Sequence, residues 1–545
     1  MARPRKVAAW SSSRCRLGAL PPLCLRCPMV SCLASKRRVA AVLAASLLAS
    51  ALAPPAARAL ETVQLQLPLL KTSFTVQVSD LADPRRLLQG NSDLSELDRA
   101  SDGAIGRSMT ALFNRPLPYA SKDALNNAVG TPLLQQVLLM ASTLGHIDGV
   151  EPDFNGDLLA AALKKASGRG QLTMLGLLQA LPGKTASIDV EKALLGLQRL
   201  QRQQRLANRL VDTLPAQTAS AALAAPGRLQ PQRSQVRLAV PHRPDPITVV
   251  LVRPAQGGNG RLVLISHGLW DGPPNFEGWA NHLASHGYTV LLPVHPGSDS
   301  SQQQAMLSGK TPPPGPAELR LRPLDVTAVI NAAAAGQIAG LGTVQADRVV
   351  VLGHSWGATT AIQLGGGRPG SALLRQRCTN PADPDHNISW VLQCSFLQAA
   401  DQASLADPRV IAVAAVSPPM YLLFAPGSMR GMPARGLLIS GSNDWVVPSG
   451  PEALDRFTPE AASLGHQLVL AKGGDHFNLR GPVANQGGPL RALLLAWVNG
   501  AFAAGPSVRV SPQAPSLLPA AGWGSATLPL VPVNAAALAG IAPSR

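Results

Sequence analysis

The stretch that most limits what this chain can fold into is Gly353-His354-Ser355-Trp356-Gly357. It follows the apolar run Arg348-Val349-Val350-Val351-Leu352 and precedes Ala358-Thr359-Thr360-Ala361-Ile362. That order reads as strand, sharp turn, helix. A Gly-x-Ser-x-Gly in this setting lifts the serine hydroxyl above the C-terminal edge of a sheet, at the start of the next helix. The turn strains its central residue, so the positions two before and two after it must be small. Gly353 and Gly357 satisfy that need. An ordinary tight strand-to-helix turn is the competing reading, and the surroundings decide between them.

Those surroundings alternate between two periods. Short, mostly apolar runs at 236–240, 247–252, 262–266, 289–294, 348–352, 410–416, 436–440 and 467–470 read as eight strands. Helical stretches lie between them at 278–286, 322–335, after Ser355 and at 490–502. Alternation of this kind argues an α/β domain over 226–505 with a mainly parallel sheet flanked by helices. Ser355 then stands after the fifth strand.

A serine hydroxyl is a weak nucleophile until an imidazole takes its proton. His476 is the candidate base: it follows the last strand candidate in the glycine-bearing loop Gly473-Gly474-Asp475-His476-Phe477. His354 is expected to face away from the serine. His267, His282, His286 and His295 come too early for the chain order serine, acid, histidine. The candidate acid is Asp444, in Ser440-Gly441-Ser442-Asn443-Asp444-Trp445-Val446-Val447-Pro448, with Asp475 as rival. Asp475 is expected to shape its loop, and Asp299 to hold the loop after the fourth strand. A developing oxyanion needs preorganised donors. The backbone amide of Trp356 is one candidate. The other is the amide of Leu269, in Ser266-His267-Gly268-Leu269-Trp270, where a plain turn is the competing reading.

The insertion 366–408 carries Cys378, Cys394, Trp390 and Phe396. It is expected to roof an acyl pocket. The apolar loop Ser417-Pro418-Pro419-Met420-Tyr421-Leu422-Leu423-Phe424 is expected to border the same pocket, for a small ester or lipid substrate. Ahead of the whole chain, Lys36-Arg37-Arg38, an apolar run over 39–53 and Ala57-Arg58-Ala59 read as an export leader cleaved before Leu60. Met29 is an alternative start, and an uncleaved anchor is the competing reading. Export makes Cys378 and Cys394, 16 residues apart, a disulfide candidate; two separate buried thiols are the alternative. Cys24 and Cys27 lack a partner pair, so no metal site is assigned.

Charge excludes one class of partner. The 545-residue chain has a formal charge of +17, but ten of its basic residues and none of its acids lie in 1–59. Removing those ten leaves +7 and no basic block, so no nucleic-acid partner is expected. Residues 60–225 read as a mostly helical domain that begins with two short strands and ends in a linker over 213–235. A helix near 190–205 puts Val190, Ala193, Leu194, Leu197 and Leu200 on one side and Arg199, Arg202 and Arg205 on the other. That basic stripe suits either a solvated face or a membrane-surface contact. The proline- and alanine-rich stretch 506–545 reads as a flexible tail.

Ser266-His267-Gly268, His295-Pro296-Gly297-Ser298-Asp299-Ser300, the Ser355 pentapeptide, the Asp444 loop and Asp475-His476 together resemble the α/β-hydrolase superfamily. Within it, 60–505 is similar to predicted dienelactone hydrolases and platelet-activating-factor acetylhydrolase-like bacterial enzymes with an N-terminal helical domain. The resemblance implies the α/β-hydrolase fold and an ester-hydrolase chemistry. The favoured reading is an exported serine hydrolase working through an acyl-enzyme on Ser355 with no cofactor or metal; the alternatives are a thioesterase or peptidase with the same triad, or a non-catalytic binding protein on a hydrolase scaffold. Dienelactone hydrolases proper use a cysteine where this chain has Ser355, which favours carboxylic esters.

Overall fold

The computed structural model describes residues 59–67, 72–117, 122–151, 156–168, 172–380, 382–512 and 514–540. The expected leader, with its four cysteines and Met29, lies outside them but for Ala59.

All eight expected strands form. They are β5 (Pro231–Leu238), β6 (Ile247–Pro254), β7 (Arg261–Ser266), β8 (Thr289–Pro293), β9 (Gln345–His354), β10 (Val410–Val416), β11 (Arg435–Gly441) and β12 (Gln467–Ala471). With β13 (Leu530–Val533) added at one edge, the sheet runs β13-β12-β11-β10-β9-β7-β8-β6-β5. From β8 through β12 every pairing is parallel, while β5, β6 and β13 join antiparallel. The crossover of β7 and β8 places β9 beside β7, so the C-terminal ends of β7, β9, β10 and β11 stand side by side. Side chains alternate across a strand, and the core divides accordingly. Val349 and Val351 of β9 pack on one face with the helices Glu318–Ala334 and Trp356–Leu364. Val350 and Leu352 pack on the other with Glu277–Ser285 and Arg491–Ala503. All four are fully buried, each contributing about 1.5–3 kcal/mol. The strand that carries Ser355 is thus anchored on both faces.

The tail expected beyond 505 is instead part of the sheet. Leu530–Val533 pairs with β12, and Leu517, Leu518, Trp523, Leu530 and Val531 are buried. Pro529 and Pro532 mask the strand in the sequence. An edge strand tolerates proline because one side of its backbone needs no partner. The expected linker is likewise pinned in part: Gln217 and Ser220 donate backbone hydrogen bonds to Leu530 and Gly522, and β5 already begins at Pro231.

Ahead of this sheet lie β1 (Thr62–Leu67), β2 (Thr72–Gln77), β3 (Gly145–Ile147) and β4 (Thr185–Asp189), in the order β2-β1-β4-β3, with short helices and a core of their own. Strands β3 and β4 add to the two expected. The helix Val190–Thr213 departs most from its sequence reading. Leu194 and Leu197 are exposed, whereas Ala207, Leu210 and Val211 enter the core of the large sheet. Its polar residues face protein: Arg202 and Gln203 donate to the Pro384 and Asp385 carbonyls, and Gln204 to that of Asp444. Among the described residues no helix is long and apolar enough to cross a membrane.

Candidate active site

Ser355 sits at φ 54°, ψ −125°, a region that costs a non-glycine residue about 1–3 kcal/mol. The surroundings enforce it. A Cβ on Gly353 would lie 2.1 Å from the Gly357 carbonyl oxygen, and one on Gly357 would lie 2.0 Å from that of Ser266. The Ser355 amide is tied to the Val416 carbonyl at 2.8 Å. Trp270 and Ser417, at the ends of β7 and β10, also have positive φ. Backbone strain therefore gathers at the strand ends around Ser355.

The acid and base candidates meet. His476 Nδ1 lies 3.0 Å from Asp444 Oδ2. Asp444 is fully buried, and its other oxygen accepts the Val446 and Val447 amides at 2.9 and 2.7 Å. Those two bonds aim the carboxylate, and the pairing leaves His476 Nε2 as the free ring nitrogen. Ser355 Oγ makes no hydrogen bond among the described residues; such bonds often tighten only with substrate. Asp475 Oδ1 accepts the Phe477 and Asn478 amides, the loop-shaping part expected of it. Asp299 caps the helix Ser300–Leu307 through the Gln302 amide. His354 has a part the sequence does not signal: its Nε2 hydrogen-bonds the His476 carbonyl at 2.8 Å. Burial, with the nearby His476, drives its pKa well below the usual imidazole range, so it holds the base loop as a neutral ring.

The oxyanion candidates are arranged by His267. The His295 amide donates to His267 Nε2 at 3.1 Å, so that nitrogen is the acceptor and the proton resides on Nδ1. Nδ1 in turn donates to the Gly268 carbonyl at 2.8 Å. Carbonyl and N–H point opposite ways in a trans peptide; fixing the Gly268 carbonyl therefore directs the Leu269 N–H away from the ring. Burial holds His267 neutral, with its pKa well below normal. Neither the Leu269 nor the Trp356 amide is used in a hydrogen bond among the described residues. Gly268 brings the loop close: a Cβ there would lie 3.2 Å from Ser355 Cβ.

Ser355, His476, Gly268, Leu269, Trp270, Asp271, Gln303, His354, Phe477 and Arg480 line one cavity of about 310 Å³. Exposed Trp445 stands 6.1 Å from exposed Phe477, ring to ring. The insertion does not contribute to this lining, contrary to its expected place as a roof. Its apolar residues are consumed elsewhere: Phe396 packs 4.7 Å from the Trp356 ring, and Trp390 is stacked on Tyr421. Met420, Leu422, Leu423 and Phe424 are likewise core rather than pocket wall. Buried Glu452 draws these segments together, accepting from Ser389, Gln393 and the Met420 and Tyr421 amides. Cys378 and Cys394 are bonded, with Cα atoms 5.6 Å apart. Among the described residues no cluster of three or more His, Cys, Asp or Glu could hold a metal ion.

Residues 261–369, from β7 through the helix after Ser355, match the family model described as alpha/beta hydrolase fold. No curated protein matches the chain. The match, the strand order and the strained serine after β9 agree, and they give the chain the α/β-hydrolase fold, in support of that superfamily.

Proposed function

We propose that this chain is an exported serine hydrolase that cleaves carboxylic esters through an acyl-enzyme on Ser355, akin to the dienelactone hydrolase and platelet-activating-factor acetylhydrolase-like enzymes. The observation that carries the reading is one cavity shared by strained Ser355 and His476, whose Nδ1 is held by buried Asp444.

His476 Nε2 takes the Ser355 proton as Oγ attacks the ester carbonyl. The carbonyl oxygen gains the negative charge and is met by the Leu269 and Trp356 amides. His476, now doubly protonated and stabilised by Asp444, returns a proton to the departing alcohol. Water, deprotonated by the same imidazole, then attacks the acyl-enzyme, and the imidazolium gives that proton to Ser355 Oγ as the acyl C–Oγ bond breaks and the acid leaves. Leu269, Trp270 and Phe477 give the cavity an apolar portion suited to an acyl or lipid group. The bonded Cys378–Cys394 pair is compatible with an oxidising compartment.

A fluorophosphonate probe followed by peptide mapping tests the reading, together with p-nitrophenyl esters of rising chain length. Labelling at Ser355, lost in Ser355→Ala along with hydrolysis, is the expected result. A folded wild-type chain that neither labels nor hydrolyses any ester of the series would refute it.

A further inference from the structure

The helix Glu318–Ala334 buries a guanidinium behind the site. Arg322 is fully buried, and its Nη2 donates to the carbonyl of His267, next to the loop that presents Leu269. The guanidinium carbon also lies 4.7 Å over the Trp356 ring. One side chain from a third element therefore touches both segments that carry the candidate oxyanion amides.

Among the described residues its charge has no direct ion pair, although Glu318, Asp325 and Asp271 favour it through space. Arg322 forms no salt bridge among the described residues, and its Nε and Nη1 make no hydrogen bond there. The carboxylates along its own helix are engaged elsewhere. Glu318 takes two bonds from Arg243, at 2.6 and 3.0 Å, and Asp325 takes two more, at 2.9 and 2.7 Å. Asp325 also meets His242 and His295. Burial lowers the Arg322 pKa to about 9, which leaves it charged at neutral pH. Removing an ion from water costs several kcal/mol, and an apolar residue of similar volume is often at least as stable. Packing alone therefore does not account for an arginine here.

We propose that Arg322 is a positioning residue of the oxyanion hole, holding the Leu269 and Trp356 amides in register by binding the His267 carbonyl and stacking on the Trp356 indole. The inference rests on the serine-hydrolase reading above. An oxyanion gains from two donors only if both reach the same point, at about 2.7–3.1 Å. The two loops leave different strands, β7 and β9. The His267 side chain fixes the Gly268–Leu269 peptide; Arg322 fixes the peptide before it and ties both to the nucleophile helix. The stabilisation falls on the transition state, because the ground-state carbonyl oxygen lies off that point.

The test compares Arg322→Met and Arg322→Lys with wild type on an ester that wild type hydrolyses. It measures kcat, KM, thermal midpoint and the affinity of a trifluoromethyl ketone, which forms an oxyanionic hemiketal with Ser355. Loss of a whole oxyanion donor costs about 10²–10³ in kcat, and misalignment should cost part of that. Arg322→Met is expected to lower kcat about 10–100-fold with KM within about twofold, a pattern that marks an interaction made only in the transition state. Ketone affinity should fall by the same factor, while the thermal midpoint holds or rises. Arg322→Lys, which keeps a cationic donor, should recover part of both. A folded Arg322→Met with wild-type kcat overturns the proposal. So does a kcat loss that ketone affinity does not follow. If Arg322→Met does not fold, Arg322→Lys decides by the same parallel between kcat and ketone affinity. A wild-type chain that is neither labelled by fluorophosphonate nor active defeats the hydrolase reading and this proposal with it; an active, labelled wild type with indifferent Arg322 variants defeats this proposal alone.

Discussion

Asp444→Asn separates chemistry from folding at one position. Asp444 Oδ1 accepts the Val446 and Val447 amides, and Oδ2 faces His476 Nδ1. An asparagine oriented with its carbonyl on the two amides keeps both bonds and the loop. Its NH₂ then faces Nδ1. Two donors cannot meet, so the imidazole must carry its proton on Nε2, where it can no longer accept one from Ser355. The analogous exchange in the Ser-His-Asp template lowers kcat about 10⁴-fold with geometry intact. A loss of about 10³–10⁴ is expected here, equal to about 4–5.5 kcal/mol of barrier, with a thermal midpoint near that of wild type. Asp444→Ala should lose activity as well and also strand the buried Val447 amide, at about 1–3 kcal/mol of stability, and the half-buried Val446 amide at less. The assay is steady-state ester hydrolysis beside thermal unfolding for both variants. Near-wild-type turnover by Asp444→Asn would refute the assignment of the acid. Equal destabilisation by Asn and Ala would refute the account of the loop.

Three further outcomes follow from the geometry. Gly357→Ala should unfold the elbow or abolish activity, because its Cβ would lie 2.0 Å from the Ser266 oxygen; a folded, active variant by circular dichroism and turnover would contradict this. Reducing Cys378–Cys394, 16 residues apart, should cost about 3 kcal/mol of stability on the chain-entropy model while chain-length preference holds, since the insertion does not line the cavity; a changed preference at equal folded fraction would show otherwise. Burial depresses His282 and His466 to about 4. Against an unfolded value near 6.5, the stability they lend is complete above that pH and is lost as pH falls toward 4, by about 2 kcal/mol each at pH 5. Urea midpoints at pH 7 and 5 check this, and His466→Asn should remove only its own share of the difference.

The sequence by itself determines the features written in short-range patterns. Short apolar runs spaced by helices specify eight strands, and the elbow is legible because its strain must be relieved by glycines two residues either side of Ser355. His476 and Asp444 are nameable because chain order and strand ends restrict where a base and an acid can stand. What the sequence hides depends on neighbours distant in the chain. β13 is masked by its prolines, which are harmless only because the strand lies at the edge. The insertion looks like a pocket roof because it is apolar and cross-linked, yet only packing against Trp356 and Glu452 decides which way those residues point. The supporting parts of His267, His354 and Arg322 leave no local signature. A histidine's tautomer and a buried arginine's purpose are set by the carbonyls and amides that folding brings within about 3 Å of them, and those come from other strands, loops and helices.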